Sequence, residues 1–203
     1  LWDVADERPI LDLNGTAAAF SPDGSKIATA TIDDTFAVRT SDLPSMLVHI
    51  WDSSTGDLLS TLAPEPRQYL SSAVYSPDGT SILTVGTGLA TQTAIATVWD
   101  TVTQQPVATL TALVDQAMSF VPVASFSDDG TKIVTVHDDG VRVSDATSGA
   151  AIAGPFAGEP AVADLGPAAV LLLTANGMGE VALWDVASGE LHATLSPLGD
   201  AGF

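Results

Sequence analysis

The chain has 203 residues, of which 46% are hydrophobic, so it is long enough and apolar enough to bury a core. It carries 25 acidic against 6 basic residues, a net charge of −19, which disfavours binding to DNA, RNA or an anionic membrane surface because like charges repel. There is no cysteine, which excludes disulfides and thiolate metal sites. The cellular compartment stays undecided, with the cytoplasm favoured over secretion. Because residue 1 is leucine rather than methionine, we expect the chain to be a piece of a longer protein.

Four segments of the chain share one template of short predicted strands. In each, an aromatic residue or leucine is followed by a tight turn, then by an isoleucine or leucine seven residues on and a threonine nine residues on. The leading residues are Phe20, Tyr75, Phe126 and Leu165. The residues at the two later positions are Ile27 and Thr29, Ile82 and Thr84, Ile133 and Thr135, and Leu172 and Thr174. Such recurrence predicts a repeat architecture whose units stack on one another.

The first repeat, residues 15–62, contains four predicted strands. The first two flank the sequence SPDG at Ser21–Gly24, where proline presets φ and glycine takes the positive φ of a tight turn. The third strand, 48–52, ends in Trp-Asp, and a turn at 54–56 leads into the fourth strand, 57–62. Short runs of this kind, bounded by Gly, Pro or Asp, are typical of a sheet.

The remaining repeats, residues 70–110, 117–156 and 161–195, follow the same order. SPDG recurs in the second repeat and SDDG in the third, whereas the fourth has Gly-Pro-Ala-Ala at 166–169. In the third repeat, Ser144 takes the place of the tryptophan. The Trp-Asp pairs of the other repeats are Trp51-Asp52, Trp99-Asp100 and Trp184-Asp185.

The combination FSPDG…WD…TG…TL, recurring in register over nearly the whole chain, resembles the Trp-Asp (WD) repeat β-propeller family in a divergent, bacterial-type form. The resemblance implies an all-β fold of about four blades, each a four-stranded antiparallel sheet with strands a to d running outward from a central channel. It also implies that residues 1–13 are the end of a preceding blade. The Gly-His pair that usually precedes strand a is absent, so we do not expect the hydrogen-bond network built on that histidine.

Four blades and an N-terminal strand from a preceding blade predict that this chain does not close a ring alone. Members of the family mostly close with more than four blades, and an open arc would expose blade faces and strand edges. We therefore expect further blades from the parent protein or from a second copy.

No chemistry of catalysis stands out in the sequence. The recurring tryptophans are expected to pack between blades, and the Asp pairs at 33–34, 128–129 and 138–139 lack the spacing of a calcium loop. There is no GxSxG motif, and the three histidines form no recognisable triad. We therefore predict no catalytic residue, no metal and no cofactor, and a protein that is not an enzyme.

The candidate binding site comes from the differences in loop length. The first repeat holds about a dozen extra residues between strands b and c, and the second about half a dozen. In the family the b–c and d–a loops lie on one face, and interfaces favour aromatic residues, Met and Arg. The alternative is a lengthened hairpin whose apolar residues pair with one another. The candidate binding residues are Phe36, Arg39, Leu43, Met46, Arg67, Tyr69, Met118 and Phe120.

The leading functional prediction is a non-enzymatic scaffold that binds a protein or peptide on the face built from the b–c and d–a loops. An alternative is a sensor or regulatory propeller of a larger signalling or defence NTPase or kinase. A third reading is a propeller enzyme with its site at the central channel.

Overall fold

The structure is a computed structural model that describes residues 1–3, 7–9, 11–32, 46–64, 68–88, 93–113, 124–137, 140–157 and 160–195. Within these ranges the regular structure is β-strand, apart from a single 3-10 turn at Pro167–Ala169. Two short strands, β1 (Trp2–Asp3) and β2 (Arg8–Pro9), pair with each other ahead of four four-stranded antiparallel sheets.

The four sheets follow one another along the chain. Sheet 1 consists of β3 (Ala17–Phe20), β4 (Lys26–Ile32), β5 (Met46–Asp52) and β6 (Leu58–Leu62). Sheet 2 consists of β7 (Gln68–Tyr75), β8 (Ser81–Gly88), β9 (Thr93–Asp100) and β10 (Pro106–Leu113). Sheet 3 consists of β11 (Ala124–Phe126), β12 (Lys132–His137), β13 (Gly140–Asp145) and β14 (Ala151–Phe156). Sheet 4 consists of β15 (Pro160–Leu165), β16 (Leu171–Asn176), β17 (Val181–Asp185) and β18 (Leu191–Leu195).

Every sheet is a meander in which each strand pairs with the next, which confirms the predicted all-β fold of four blades. The strand pair β1–β2 repeats the register of a blade's last two strands, because Trp2 pairs with Pro9 as Trp51 pairs with Leu58. The assignment of residues 1–13 to a preceding blade stays a prediction, with which this register agrees.

The SPDG turn explains the spacing of seven in the template. In sheet 1 the Ser21 hydroxyl donates to Asp23 Oδ1 (2.6 Å), the amide of Lys26 donates back to Ser21 Oγ (2.9 Å), and Gly24 has a φ of 72°. This turn brings Phe20 and Ile27 into direct cross-strand register. The same hydrogen bonds recur in sheets 2 and 3, on Asp78 and Asp129 respectively.

The threonine of the template accepts a hydrogen bond from the tryptophan of the third strand. Trp51 Nε1 donates to Thr29 Oγ1 (2.9 Å), and equivalent bonds join Trp99 to Thr84 (2.9 Å) and Trp184 to Thr174 (3.0 Å). In sheet 3, which has Ser144 at the tryptophan position, the Thr135 hydroxyl lies 2.7 Å from His137 Nε2 instead. In sheets 1, 2 and 4 a threonine of the second strand is thus hydrogen-bonded to a tryptophan of the third strand.

Burial between sheets is the main source of stability in this fold. We call the face of a sheet that packs on the next sheet along the chain its forward face, and the opposite side its backward face. Three buried clusters fill the three junctions between consecutive sheets. The first joins residues of the forward face of sheet 1 to the backward face of sheet 2, and it includes Ala28, Val48, Ile50, Leu62, Leu70, Ile82 and Trp99.

Candidate functional site: an interaction face on the loop rim

The antiparallel meanders give the molecule two different rims. One rim, the turn rim, carries the a–b turns such as Ser21–Gly24 and the turns that follow each Trp-Asp position. The other, the loop rim, carries the b–c and d–a connections. Strand register shows this for sheets 1 and 2, since Ile32 pairs with Met46 and Gln68 pairs with Gly88 at that end. The predicted binding face therefore corresponds to the loop rim.

Most of the predicted binding residues lie outside the described residues. Two of them, Met46 and Tyr69, are described, and both belong to strands rather than loops, at the starts of β5 and β7. The predicted residues outside the described ranges are Phe36, Arg39, Leu43, Arg67, Met118 and Phe120.

Met46 requires a correction to the sequence-based expectation, because its side chain is not available to a partner. It is 1% exposed and belongs to the cluster between sheets 1 and 2. Its sulfur lies 3.1 Å from the amide nitrogen of Leu70, which donates to it. Met46 therefore joins the first two sheets, as the alternative hairpin interpretation expects of an apolar residue at this place.

In sheets 1 and 2, two exposed apolar side chains lie at the described part of the loop rim. Tyr69 is 53% exposed in β7, and Ile32 is 42% exposed at the end of β4, where the connection 33–45 begins. Gly86 permits the local strand approach, because a Cβ there would lie 2.5 Å from the Tyr69 carbonyl oxygen. An apolar residue of each of the first two sheets thus faces solvent on this rim.

Gln68 is the residue at this rim that sequence reasoning missed. It is 1% exposed, and neither its Oε1 nor its Nε2 has a hydrogen-bond partner among the described residues. An unsatisfied buried polar group costs about 1–3 kcal/mol, so a side chain that leaves two of them unpaired needs an explanation. A glutamine at the start of a strand gives no sequence signal of burial, which is why the sequence did not indicate it.

The turn rim carries the perturbed carboxyl groups of the described residues. Hydrogen bonds from the Ser21 side chain and then from Ser25 hold the pKa of Asp23 at about 2, and those from Ser54 and Thr55 do the same for Asp52. Each cause is a donor of the carboxylate's own turn, so the lowered pKa values reflect turn capping. The other carboxyl groups with lowered pKa values are Asp78, Asp100, Asp129, Asp145 and Asp185.

Other kinds of site receive no support from the part of the chain that the structure describes. No group of three or more His, Asp or Glu side chains within it converges in a way that could hold a metal ion. Within the same ranges there is no helix of the length and apolar character needed to cross a bilayer.

Comparison with known proteins shows the fold and no more. No family model matches the chain, and no curated protein matches it either. Among the 1119 solved chains that match its structure is hydrazine synthase of Kuenenia stuttgartiensis, a protein with β-propeller domains. The TM-score is 0.62 at 16% sequence identity. The match covers 89% of this chain and 48% of the hydrazine synthase chain, so this chain spans about half the length of that chain. The four sheets are accordingly the blades of a propeller-like fold.

Proposed function

We propose that the chain is a non-enzymatic interaction module of the Trp-Asp-repeat type that binds a protein or peptide partner on its loop rim. The observation that carries the proposal is the pair of exposed apolar residues, Ile32 and Tyr69, on the loop rim of adjacent sheets. Aromatic and aliphatic side chains held on a rigid sheet are typical anchors of protein interfaces.

Gln68 supports the same rim as the contact surface. Its amide lies next to Tyr69 in the same strand and has unused donors and an unused acceptor in the described structure. An amide can bind the main chain of a partner with both its donor and its acceptor once a rearrangement on binding exposes it. A peptide that forms hydrogen bonds with these unpaired groups would therefore gain affinity from them.

The distribution of carboxyl groups supports a non-enzymatic function. Glycosidase-like chemistry needs two carboxyl groups facing a common substrate. The described carboxyl groups with shifted pKa values are each held by donors of their own turn, on the rim opposite to the long connections.

Site-specific photo-crosslinking tests the proposal. A photoreactive phenylalanine analogue at position 69 should form a discrete adduct in an extract of the source organism, since this side chain is exposed on the proposed face. The matched control places the analogue at Val102, which is 86% exposed on the turn rim of the same sheet. Equal adducts from both positions, or adducts from position 102 alone, would contradict the loop rim as the binding face.

A substitution gives an independent measurement. Tyr69→Ser should leave the melting temperature nearly unchanged, because half of the side chain is in water, and should weaken capture of the crosslinked species. Val102→Ser should change neither quantity.

A further inference from the structure

Both asparagines of the chain are followed by glycine. Asn14 precedes Gly15, and Asn176 precedes Gly177. An asparagine in this position can lose its side-chain amide without an enzyme, because glycine has no side chain to hinder the attack of its own backbone nitrogen on the asparagine Cγ. The two pairs share the same local chemistry, so the fold decides which of them reacts.

Asn14 lies in an exposed stretch without regular structure, shortly before β3. Its side chain takes part in none of the hydrogen bonds among the described residues, and the backbone amide of Gly15 donates none there. A Cβ at Gly15 would lie 3.0 Å from both Ala30 O and Thr29 Cβ, so packing on sheet 1 favours glycine at this place. The reactive pair is therefore kept by the fold, and its two reacting atoms can meet without the loss of a described hydrogen bond.

Asn176 is held in the hairpin turn between β16 and β17. Its Oδ1 accepts from the backbone amides of Met178 and Glu180 at 3.0 Å each, and its Nδ2 donates to Glu180 Oε2 at 2.8 Å. The backbone of the turn is closed by hydrogen bonds from Asn176 N to Glu180 O (3.0 Å) and from Gly179 N to Asn176 O (3.1 Å). Rotation of the amide out of this arrangement breaks hydrogen bonds at both of its ends, so the turn opposes ring closure with Gly177.

From this contrast we infer that Asn14 is a site of spontaneous deamidation and that its turn protects Asn176. The deprotonated backbone nitrogen of Gly15 forms a bond to Cγ of Asn14, the bond from Cγ to Nδ2 breaks, and the amide leaves as ammonia after taking up a proton. Water then opens the resulting five-membered imide at one of its two carbonyl carbons. The products are aspartate or isoaspartate at position 14, and no atom is oxidised or reduced.

The modified residue stands between two anchored points of the N-terminal segment. On one side, the Leu11 side chain packs on Gly56, where a Cβ would lie 2.8 Å from Leu11 Cδ2. On the other, the amide of Thr16 donates to Ala30 O at 2.7 Å. Isoaspartate routes the main chain through the former side chain and lengthens it by one carbon atom between these anchors. Either product also adds a negative charge to a chain that already carries −19.

Both neighbours of Asn14 line a groove of about 260 Å³ between the N-terminal segment and sheet 1. Leu13 and Gly15 form part of one side, and Phe20 and Ile27 belong to sheet 1. Deamidation therefore alters the chain beside an open groove rather than inside a packed junction, and the four sheets are expected to keep their fold.

Incubation of the folded chain in heavy-oxygen water at about pH 8, followed by trypsin digestion in ordinary water, tests the inference. Only product formed during the incubation carries the label, and cleavage after Lys26 and Arg142 places the two asparagines in different peptides. Label should enter the Asn14 peptide at least about 10-fold faster than the Asn176 peptide, a difference of about 1.4 kcal/mol in barrier. The rate at Asn14 should rise about 10-fold per pH unit, because the attacking nitrogen must lose its proton.

Three controls separate the effect of the fold from that of the local sequence. In guanidinium chloride the two rates should become similar, since unfolding removes the turn. Glu180→Ala removes the acceptor of Asn176 Nδ2 and should speed the reaction at Asn176 while leaving Asn14 unchanged. Asn14→Gln should abolish labelling of its peptide, because glutamine would have to close a larger ring.

The outcome that contradicts the inference is equally definite. Equal rates at the two asparagines of the folded chain, a faster rate at Asn176, or an Asn14 peptide that stays unlabelled would overturn it. A ratio that persists unchanged in guanidinium chloride would also overturn it, because the difference would then lie in the local sequence and not in the turn.

Discussion

Truncation of Ile82 measures how much one inter-sheet contact contributes to stability. Ile82 is fully buried on the backward face of sheet 2, beside Trp99, in the cluster shared with sheet 1. Ile82→Ala removes three carbon atoms, whose transfer from water is worth about 2.4 kcal/mol at about 0.8 kcal/mol each. The cavity left behind adds to this loss, so the free energy of unfolding should fall by about 3–5 kcal/mol.

The assay is urea denaturation followed by tryptophan fluorescence, since Trp99 lies in the same cluster as the truncated side chain. Ile27→Ala is the matched control, because Ile27 occupies the same template position on a face that is open at the groove beside Phe20. Water can fill that site, so its loss should be smaller than that of Ile82→Ala. A loss below about 0.5 kcal/mol at Ile82, or an equal loss at both positions, would refute the packing argument.

Three further outcomes are expected. Thr84→Val removes the acceptor of the Trp99 indole and should lower the free energy of unfolding by about 1–3 kcal/mol in urea melts, whereas Thr84→Ser, which keeps the hydroxyl, should cost less. Gln68→Met removes two buried groups without partners and should raise the free energy of unfolding by about 1–3 kcal/mol; a decrease would show that the amide is satisfied. The pKa of Asp129 is about 2 in the folded state against an ordinary 3.8, so its contribution to folding stability is present above about pH 4 and is lost as the pH falls towards 2. Ser127→Ala removes the main hydrogen-bond donor to this carboxylate and should raise its pKa, as measured by NMR titration.

The repeat template allowed the sheets to be predicted because their turns are local. SPDG fixes a turn by hydrogen bonds among residues at most five apart, and the register of the first two strands follows from it. The Trp–Thr hydrogen bond could not be read from the sequence alone. It joins residues 22 apart in sheet 1 and 15 apart in sheet 2, so it depends on a strand register that the length of the b–c connection does not reveal.

The candidate site was less predictable than the fold. The third strand of sheet 1 begins at Met46, two residues before the predicted start, and this shift moves Met46 from a loop into the core. The run Leu-Pro-Ser-Met-Leu shows no hydrophobic periodicity that would distinguish an inserted loop from a strand. Tyr69 likewise belongs to a strand that is longer than predicted, and its side chain is exposed there.

The stacked turns give the two rims different capacities for evolutionary change. A Cβ at Gly79 would lie 3.4 Å from Pro22 Cδ, and one at Gly130 would lie 3.5 Å from Pro77 Cδ, so each SPDG-type turn rests on the turn of the sheet before it. An inserted residue there would disturb two repeats at once, whereas an insertion between strands b and c lengthens a connection at the free end of one sheet. Insertions can therefore be tolerated on the loop rim without changing how the sheets stack on one another. New binding specificities can arise there when a loop is lengthened while the stacked sheets stay the same.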